Sequence, residues 1–162
     1  MKTPIRAAVI TVSDACSRGE RVDDSGAALV ELLSESGAEV VETRILSDDL
    51  EPLVQTLESL AARADVNLIV TTGGTGLGPR DNTPEATRRV IKREAPGISE
   101  TIRAESLKVT PMAMISRGVA GVASGTLIIN LPGSPKAVRE SFAVIKPVLA
   151  HSVDLLAGHT RH

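Results

Sequence analysis

Apolar residues in this 162-residue chain fall into short runs that alternate with longer stretches of helical spacing. Ala7-Ala8-Val9-Ile10-Thr11-Val12 is mostly apolar and stops at Ser13-Asp14. A short run of this kind predicts a strand buried within a parallel sheet. From Ser25 to Ser36 the spacing changes. Ala28, Leu29, Leu32 and Leu33 then share one face of a helix, which Gly37 ends. Val40 to Ile45 predicts a second strand. Asp48-Asp49 follow and offer a cap to a helix running from Leu50 to about Ala64, with Leu53, Leu57 and Leu60 turned inward. Leu68-Ile69-Val70 predicts a third strand.

The second half adds a different connection. Thr83-Pro84-Glu85 predicts a helix start, with Thr83 as the cap and the Glu85 carboxylate at the positive end of the dipole. A further helix is expected from Ile98 to Lys108, ending before Pro111. Val119 to Ala123, the turn Ser124-Gly125 and Thr126 to Leu131 predict a hairpin. Ser134-Pro135 opens a last helix as cap and first residue, and Pro147 is expected to kink or divide it. The tail His159 to His162 is expected to fray. Strands alternating with helices predict a three-layer α/β fold: a mostly parallel sheet, helices on both faces, and a late β-hairpin. Residues 1–162 are expected to form one domain.

Composition narrows the core and the partners. One Phe and no Trp or Tyr mean that aliphatic side chains and Ala must fill the interior. At 42% hydrophobic and 23% charged residues, the chain has a globular composition. A net charge of −2 gives no basic field for nucleic acid. Almost no aromatics are present to stack bases. Cys16 is the single cysteine, which excludes an intrachain disulfide. No apolar stretch is long enough to span a membrane, and polar Ser13-Asp14 interrupts the first apolar run too early for a signal peptide. A cytoplasmic location is the expectation.

Candidate chemistry concentrates in loops that follow strands, where parallel sheets bind ligands. Thr71-Thr72-Gly73-Gly74-Thr75-Gly76-Leu77-Gly78-Pro79-Arg80-Asp81 carries the strongest signal. Four glycines leave room for an oxyanion and allow backbone N–H groups to turn toward it. The pattern completes neither a phosphate loop ending in Gly-Lys-Ser/Thr nor a dinucleotide fingerprint. Asp81 and Asp48 are candidate carboxylates for magnesium on a nucleotide, since magnesium takes one or two carboxylates with phosphate and water oxygens. Asp48 has an equal claim as a helix cap. Ser13-Asp14 either binds ligand or ends the strand. Ser116-Arg117-Gly118 and Gly133-Ser134-Pro135-Lys136 offer a second anion site or ordinary capping. His151, His159 and His162 show no metal-ligand spacing.

Taken together, Thr71 to Gly76 with Pro79-Arg80-Asp81 and Thr83-Pro84-Glu85-Ala86 resemble the signature of the MogA/MoaB family. That family includes molybdopterin adenylyltransferases and the G domain of gephyrin-like proteins. Ser13-Asp14, Ser47-Asp48, Ser116-Arg117-Gly118 and Asn130 to Ala137 extend the resemblance over nearly the whole chain. It implies a homotrimer in molybdenum cofactor biosynthesis. It implies magnesium-dependent transfer of AMP from ATP to the terminal phosphate of molybdopterin, with release of pyrophosphate. A molybdenum-insertion enzyme would be the next partner. Asp48 and Asp81 match the family's functional acidic positions as catalytic or magnesium-binding carboxylates. Thr72, Gly73, Gly74, Thr75 and Gly76, with Ser13 and Asp14, fall on the nucleotide side. Ser116, Arg117, Gly133, Ser134 and Lys136 fall on the pterin side. Some MoaB-type members have a different role, so a non-catalytic molybdopterin-binding scaffold is the alternative.

Overall fold

The computed structural model describes residues 2–160. Its centre is a six-stranded sheet in the order β2-β1-β3-β6-β5-β4. Strands β1 (Arg6–Val12), β2 (Glu39–Leu46), β3 (Leu68–Thr72) and β6 (Thr126–Leu131) run parallel. Strands β5 (Ala120–Ala123) and the two-residue β4 (Arg93–Glu94) add antiparallel at one edge. The hairpin between β5 and β6 turns through Ser124 at φ 52 and Gly125 at φ 77. Two left-handed residues give the turn that matches the twist of paired strands.

Side-chain alternation along the strands builds two cores. Ala7, Val9, Leu68, Val70, Leu127 and Ile129 point to one face of the sheet. There they meet α2 (Asp24–Glu35), α5 (Pro96–Leu107) and α6 (Pro135–Leu156) through Leu29, Leu33, Ile102, Ile145 and Phe142, which is the chain's only aromatic residue. Ala8, Ile10, Ile69 and Ile128 point to the other face, against α3 (Leu50–Ala61) and α4 (Thr83–Val90). The three-layer architecture follows from these buried strands.

Several boundaries differ from the sequence reading, each for a visible reason. Helix α3 ends at Ala61, short of Ala64. Thr83 is not a cap: Asn82 holds that position, and the Thr83 hydroxyl donates instead to the Gly73 carbonyl at 2.9 Å. Neither Asp48 nor Asp49 caps α3 with its side chain. Asp49 turns to Ser47 and Arg80, and Asp48 turns to the amide of Asp14. Pro147 does not divide α6, which runs unbroken from Pro135 to Leu156. Pro147 lies on the exposed face of the helix, opposite the buried Ile145 and Leu149, where water can satisfy the carbonyl that its missing N–H would have bonded. The one-turn α1 (Asp14–Ser17), β4 and the 3-10 turn Pro111–Ile115 carry no periodic signal in sequence. The His159 ring is hydrogen-bonded to the Thr3 hydroxyl at 3.2 Å, and its backbone N–H donates to the Asp154 carbonyl at 3.0 Å. Arg161 and His162 lie outside the described residues.

Candidate active site

The sheet order places β1 between β2 and β3, so the chain leaves β1 toward one side and returns to the other. Such a switch point opens a crevice at the carboxyl ends of the strands. A cavity of about 360 Å³ lies there. It is lined by the end of β1 and its loop (Thr11, Val12, Ser13, Cys16), by Arg21, by Asp48 and Asp81, by Thr72-Gly73-Gly74, and by Gly133-Ser134. Loops after all four parallel strands therefore meet in one place.

The four glycines of the loop serve two separable purposes. Gly73 sits at φ 97, and a Cβ on it would stand 2.3 Å from the Val12 carbonyl oxygen. Gly74 sits at φ 68, and a Cβ there would stand 2.3 Å from Thr83 Oγ1. These two have left-handed backbones against neighbouring atoms. Gly76 and Gly78 instead make room for Asp81: added Cβ atoms would lie 3.0 Å and 2.9 Å from its Oδ2. That oxygen accepts the Gly78 amide at 2.9 Å. The loop thus folds around its own exit carboxylate. The Gly73 amide is used by Leu131 O, while those of Gly74, Thr75 and Gly76 have no protein acceptor among the described residues. Of these three residues only Gly74 lines the cavity, while Thr75 and Gly76 lie just beyond its lining; adjacent free donors of this kind suit an oxyanion.

Two other residues fasten the loop. Thr72 donates its hydroxyl to Pro132 O at 2.7 Å, which ties the glycine loop to the Gly133-Ser134 turn. Gly133 packs so tightly that a Cβ on it would stand 3.2 Å from Gly73 Cα. Arg117 donates to Gly76 O at 2.7 Å and to Asp81 O at 2.8 Å, pairs with Glu85, and gives its own amide to Thr75 O at 2.8 Å. Its guanidinium braces the loop from behind.

Asp48 is held beside Asp14 by a reciprocal pair of bonds. Asp14 N donates to Asp48 Oδ2, and Asp48 N donates to Asp14 Oδ1, each at 3.0 Å. Arg80 binds Asp14 through two nitrogens at 2.6 and 3.1 Å and reaches Asp49 at 2.9 Å. The Arg80 hydrogen bonds hold the Asp14 carboxyl at about 2, helped by the Asp48 amide. Asp48 behaves in the opposite sense. Burial pushes its pKa up, and the negative charges of Asp14 and Asp81 push it further, against the pull of the Asp14 amide. A desolvated carboxylate close to two others is a place where a cation is favoured.

Of the residues singled out in sequence, Ser13, Asp48, Thr72, Gly73, Gly74, Asp81, Gly133 and Ser134 line this cavity. Asp14 stands behind it as a brace. Ser116 lies elsewhere, in a second cavity of about 240 Å³ that Ser134 also lines, together with Ile102, Met112, Ala113 and Pro132. The Pro132–Ser134 turn is the wall between the two cavities. Lys136 lines neither and is 79% exposed, 3.9 Å from Glu140. Arg21, Asp24 and Ser25 line the first cavity although no sequence signal marked them.

Comparison with known proteins finds relatives along almost the whole chain. Residues 8–151 match the model of a family described as a probable molybdopterin binding domain. The chain is 40% identical over 157 residues to a molybdopterin adenylyltransferase of Helicobacter pylori, covering 96% of this chain and 89% of that one. It is 44% identical over 149 residues to the molybdenum cofactor synthesis protein cinnamon of Drosophila melanogaster, covering 91% of this chain but a quarter (25%) of that longer protein. The crystal structure of the molybdopterin biosynthesis enzyme MoaB of Thermus thermophilus superposes with a TM-score of 0.89 at 47% identity, over 95% of this chain and 97% of that one. The matched span holds every loop of the cavity, and the chain belongs to the MogA/MoaB family of molybdopterin-binding domains.

Proposed function

We propose that this chain is a molybdopterin adenylyltransferase of molybdenum cofactor biosynthesis, transferring AMP from ATP to the terminal phosphate of molybdopterin. The observation that carries the reading is the pair of adjoining cavities separated by the Pro132–Ser134 turn, one rich in carboxylates and bordered by the free amide of Gly74, the other partly apolar. A polyphosphate suits the first and a pterin the second. A terminal phosphate oxygen of molybdopterin attacks the α-phosphorus of ATP; the bond to the bridging oxygen breaks, and pyrophosphate leaves. No protein nucleophile is needed. The residues align the two phosphates and offset their charge.

The donor set fits magnesium. No group of three or more His, Cys, Asp or Glu forms a ready-made cage among the described residues, and magnesium on a nucleotide needs none. Asp48 and Asp81 each have one oxygen engaged by a backbone amide and the other without a protein donor among the described residues. Those two free oxygens would hold the ion, which would neutralise charge on the polyphosphate. Gly74, Thr75 and Gly76 amides would hold phosphate oxygens, and Ser116 and Ser134 would orient the pterin substrate. Lys136 reaches it only by leaving Glu140.

A trimer is the proposed assembly. Its support is a contiguous apolar patch on the end of α5 and the following 3-10 turn, where Met112 is 64% and Met114 71% exposed beside Val109 and Ile115. Light scattering should give three times the chain mass, and Met114→Glu should lower it. Among the described residues no helix is long and apolar enough to cross a membrane. The proposed setting is the cytoplasm, where the product passes to a molybdenum-inserting enzyme.

A non-catalytic, molybdopterin-binding role is the second reading, favoured by the family description, a probable molybdopterin binding domain, which names binding and no reaction. Measuring molybdopterin binding beside pyrophosphate release separates the two. Binding with ATP-dependent pyrophosphate release supports the transferase; binding without release supports the scaffold.

A further inference from the structure

We infer that Arg21 binds the polyphosphate of the nucleotide, as the cation that reaches the first cavity without a carboxylate partner among the described residues. This inference rests on the transferase reading and names a residue for it. The cavity is lined by three carboxylates, Asp24, Asp48 and Asp81, and by one cationic side chain, Arg21. The other cations around the site are committed. Arg80 pairs with Asp14 and Asp49, Arg117 with Glu85, Lys136 with Glu140, and Arg18 with Glu20 through two bonds of 3.0 Å each. No carboxylate oxygen of the described residues lies within 4.0 Å of the Arg21 guanidinium nitrogens, Asp24 included.

The segment that carries Arg21 is fixed at both ends. Before it, α1 is capped by Ser13, whose Oγ accepts the Cys16 amide at 3.2 Å, and the chain turns at Gly19 with φ 72. After it, Asp23 accepts the Thr11 hydroxyl at 2.7 Å and the Gly26 amide at 2.9 Å. Gly26 must be glycine for that clamp, since a Cβ there would stand 2.2 Å from Asp23 Oδ2. The short span between the clamps brings an exposed, planar fork of five N–H donors to the rim of the cavity. A triphosphate entering a cavity with three carboxylates meets repulsion that one magnesium ion does not fully offset. A free guanidinium in the cavity that Gly74 also lines supplies the missing charge and a bidentate grip on a phosphate.

The test uses tripolyphosphate in magnesium chloride buffer, measured by calorimetry on the whole chain, beside steady-state kinetics with ATP. Arg21→Ala should weaken tripolyphosphate binding about tenfold and raise KM for ATP by a similar factor, with kcat less affected. Arg21→Lys should recover part of the loss, and Arg18→Ala should bind as wild type does. Unchanged melting temperatures establish that the fold is kept. Arg21→Ala binding within twofold of wild type overturns the inference, as does a wild type that binds no tripolyphosphate. Loss of tripolyphosphate binding in Arg21→Ala, in a protein that makes no adenylylated molybdopterin, keeps the site and removes the transferase reading.

Discussion

Asp14 and Asp48 each accept the other's backbone amide at 3.0 Å. This locks the loops after β1 and β2 together and fixes a partly desolvated carboxylate over the switch point of the sheet. The two carboxyls are pushed in opposite directions: Asp14 down by Arg80, Asp48 up by burial. One is therefore a brace charged at neutral pH, and the other a carboxylate whose charge is disfavoured by burial and by its neighbours.

Asp48→Asn tests that division. An amide oxygen can still accept from Asp14 N, while the buried charge and its repulsion from Asp14 and Asp81 are gone. Turnover should fall by a hundredfold or more, as expected when a charge that acts in the transition state is removed. The melting temperature should stay level or rise. A variant that is both active and less stable contradicts the assignment.

The brace makes a prediction about acid. The folded-state pKa of Asp14 is about 2, below its ordinary 3.8, so its contribution to stability is present above about pH 4 and drains away as pH falls toward 2. Arg80→Ala should therefore melt below wild type at neutral pH, with the difference closing between pH 4 and 2. The effect is small, because the Arg80 side chain is 56% exposed. A gap that widens over that interval contradicts the account.

Arg117 holds two carbonyls of the glycine loop, Gly76 O and Asp81 O. Arg117→Ala should cost about 2 kcal/mol of stability through lost charge-assisted bonds, and hydrogen exchange should quicken from Thr75 to Asp81. Arg117→Lys should not rescue, since one ammonium cannot reproduce the fork. Normal exchange protection in Arg117→Ala removes the brace from the picture.

Gly76→Ala separates site geometry from stability. Its added Cβ would meet only the end of the Asp81 side chain, at 3.0 Å, which can swing away. Melting should change little while turnover falls, because Asp81 loses its position. Gly74→Ala should instead lower melting directly, by about 1 kcal/mol or more, from its left-handed backbone and the contact with Thr83.

Much of this was legible in the residues. Uninterrupted apolar runs such as Leu68 to Val70 announce buried strands, and Ser134-Pro135 announces a helix start, because both signals are local. The glycine loop and its Asp81 were readable for the same reason. What was not readable depends on distant partners. Thr83 looks like a cap in its own segment, yet the Gly73 carbonyl claims its hydroxyl. Asp49 looks like a cap as well, yet Arg80, thirty-one residues away in sequence, draws it off. Arg117 looks like a ligand-binding arginine and turns out to be braced against the loop. Arg21 sits in a stretch without periodicity, and only the fold brings it to the cavity.

The most direct test follows the α-phosphate. The chain is supplied with magnesium, molybdopterin and ATP labelled at the α-phosphorus, and the products are separated. The account predicts that the label moves to molybdopterin, one equivalent of pyrophosphate appearing for each AMP transferred, and that Asp81→Asn abolishes the transfer. Label recovered only in free AMP or ADP, or ATP consumed at the same rate without molybdopterin, would contradict it.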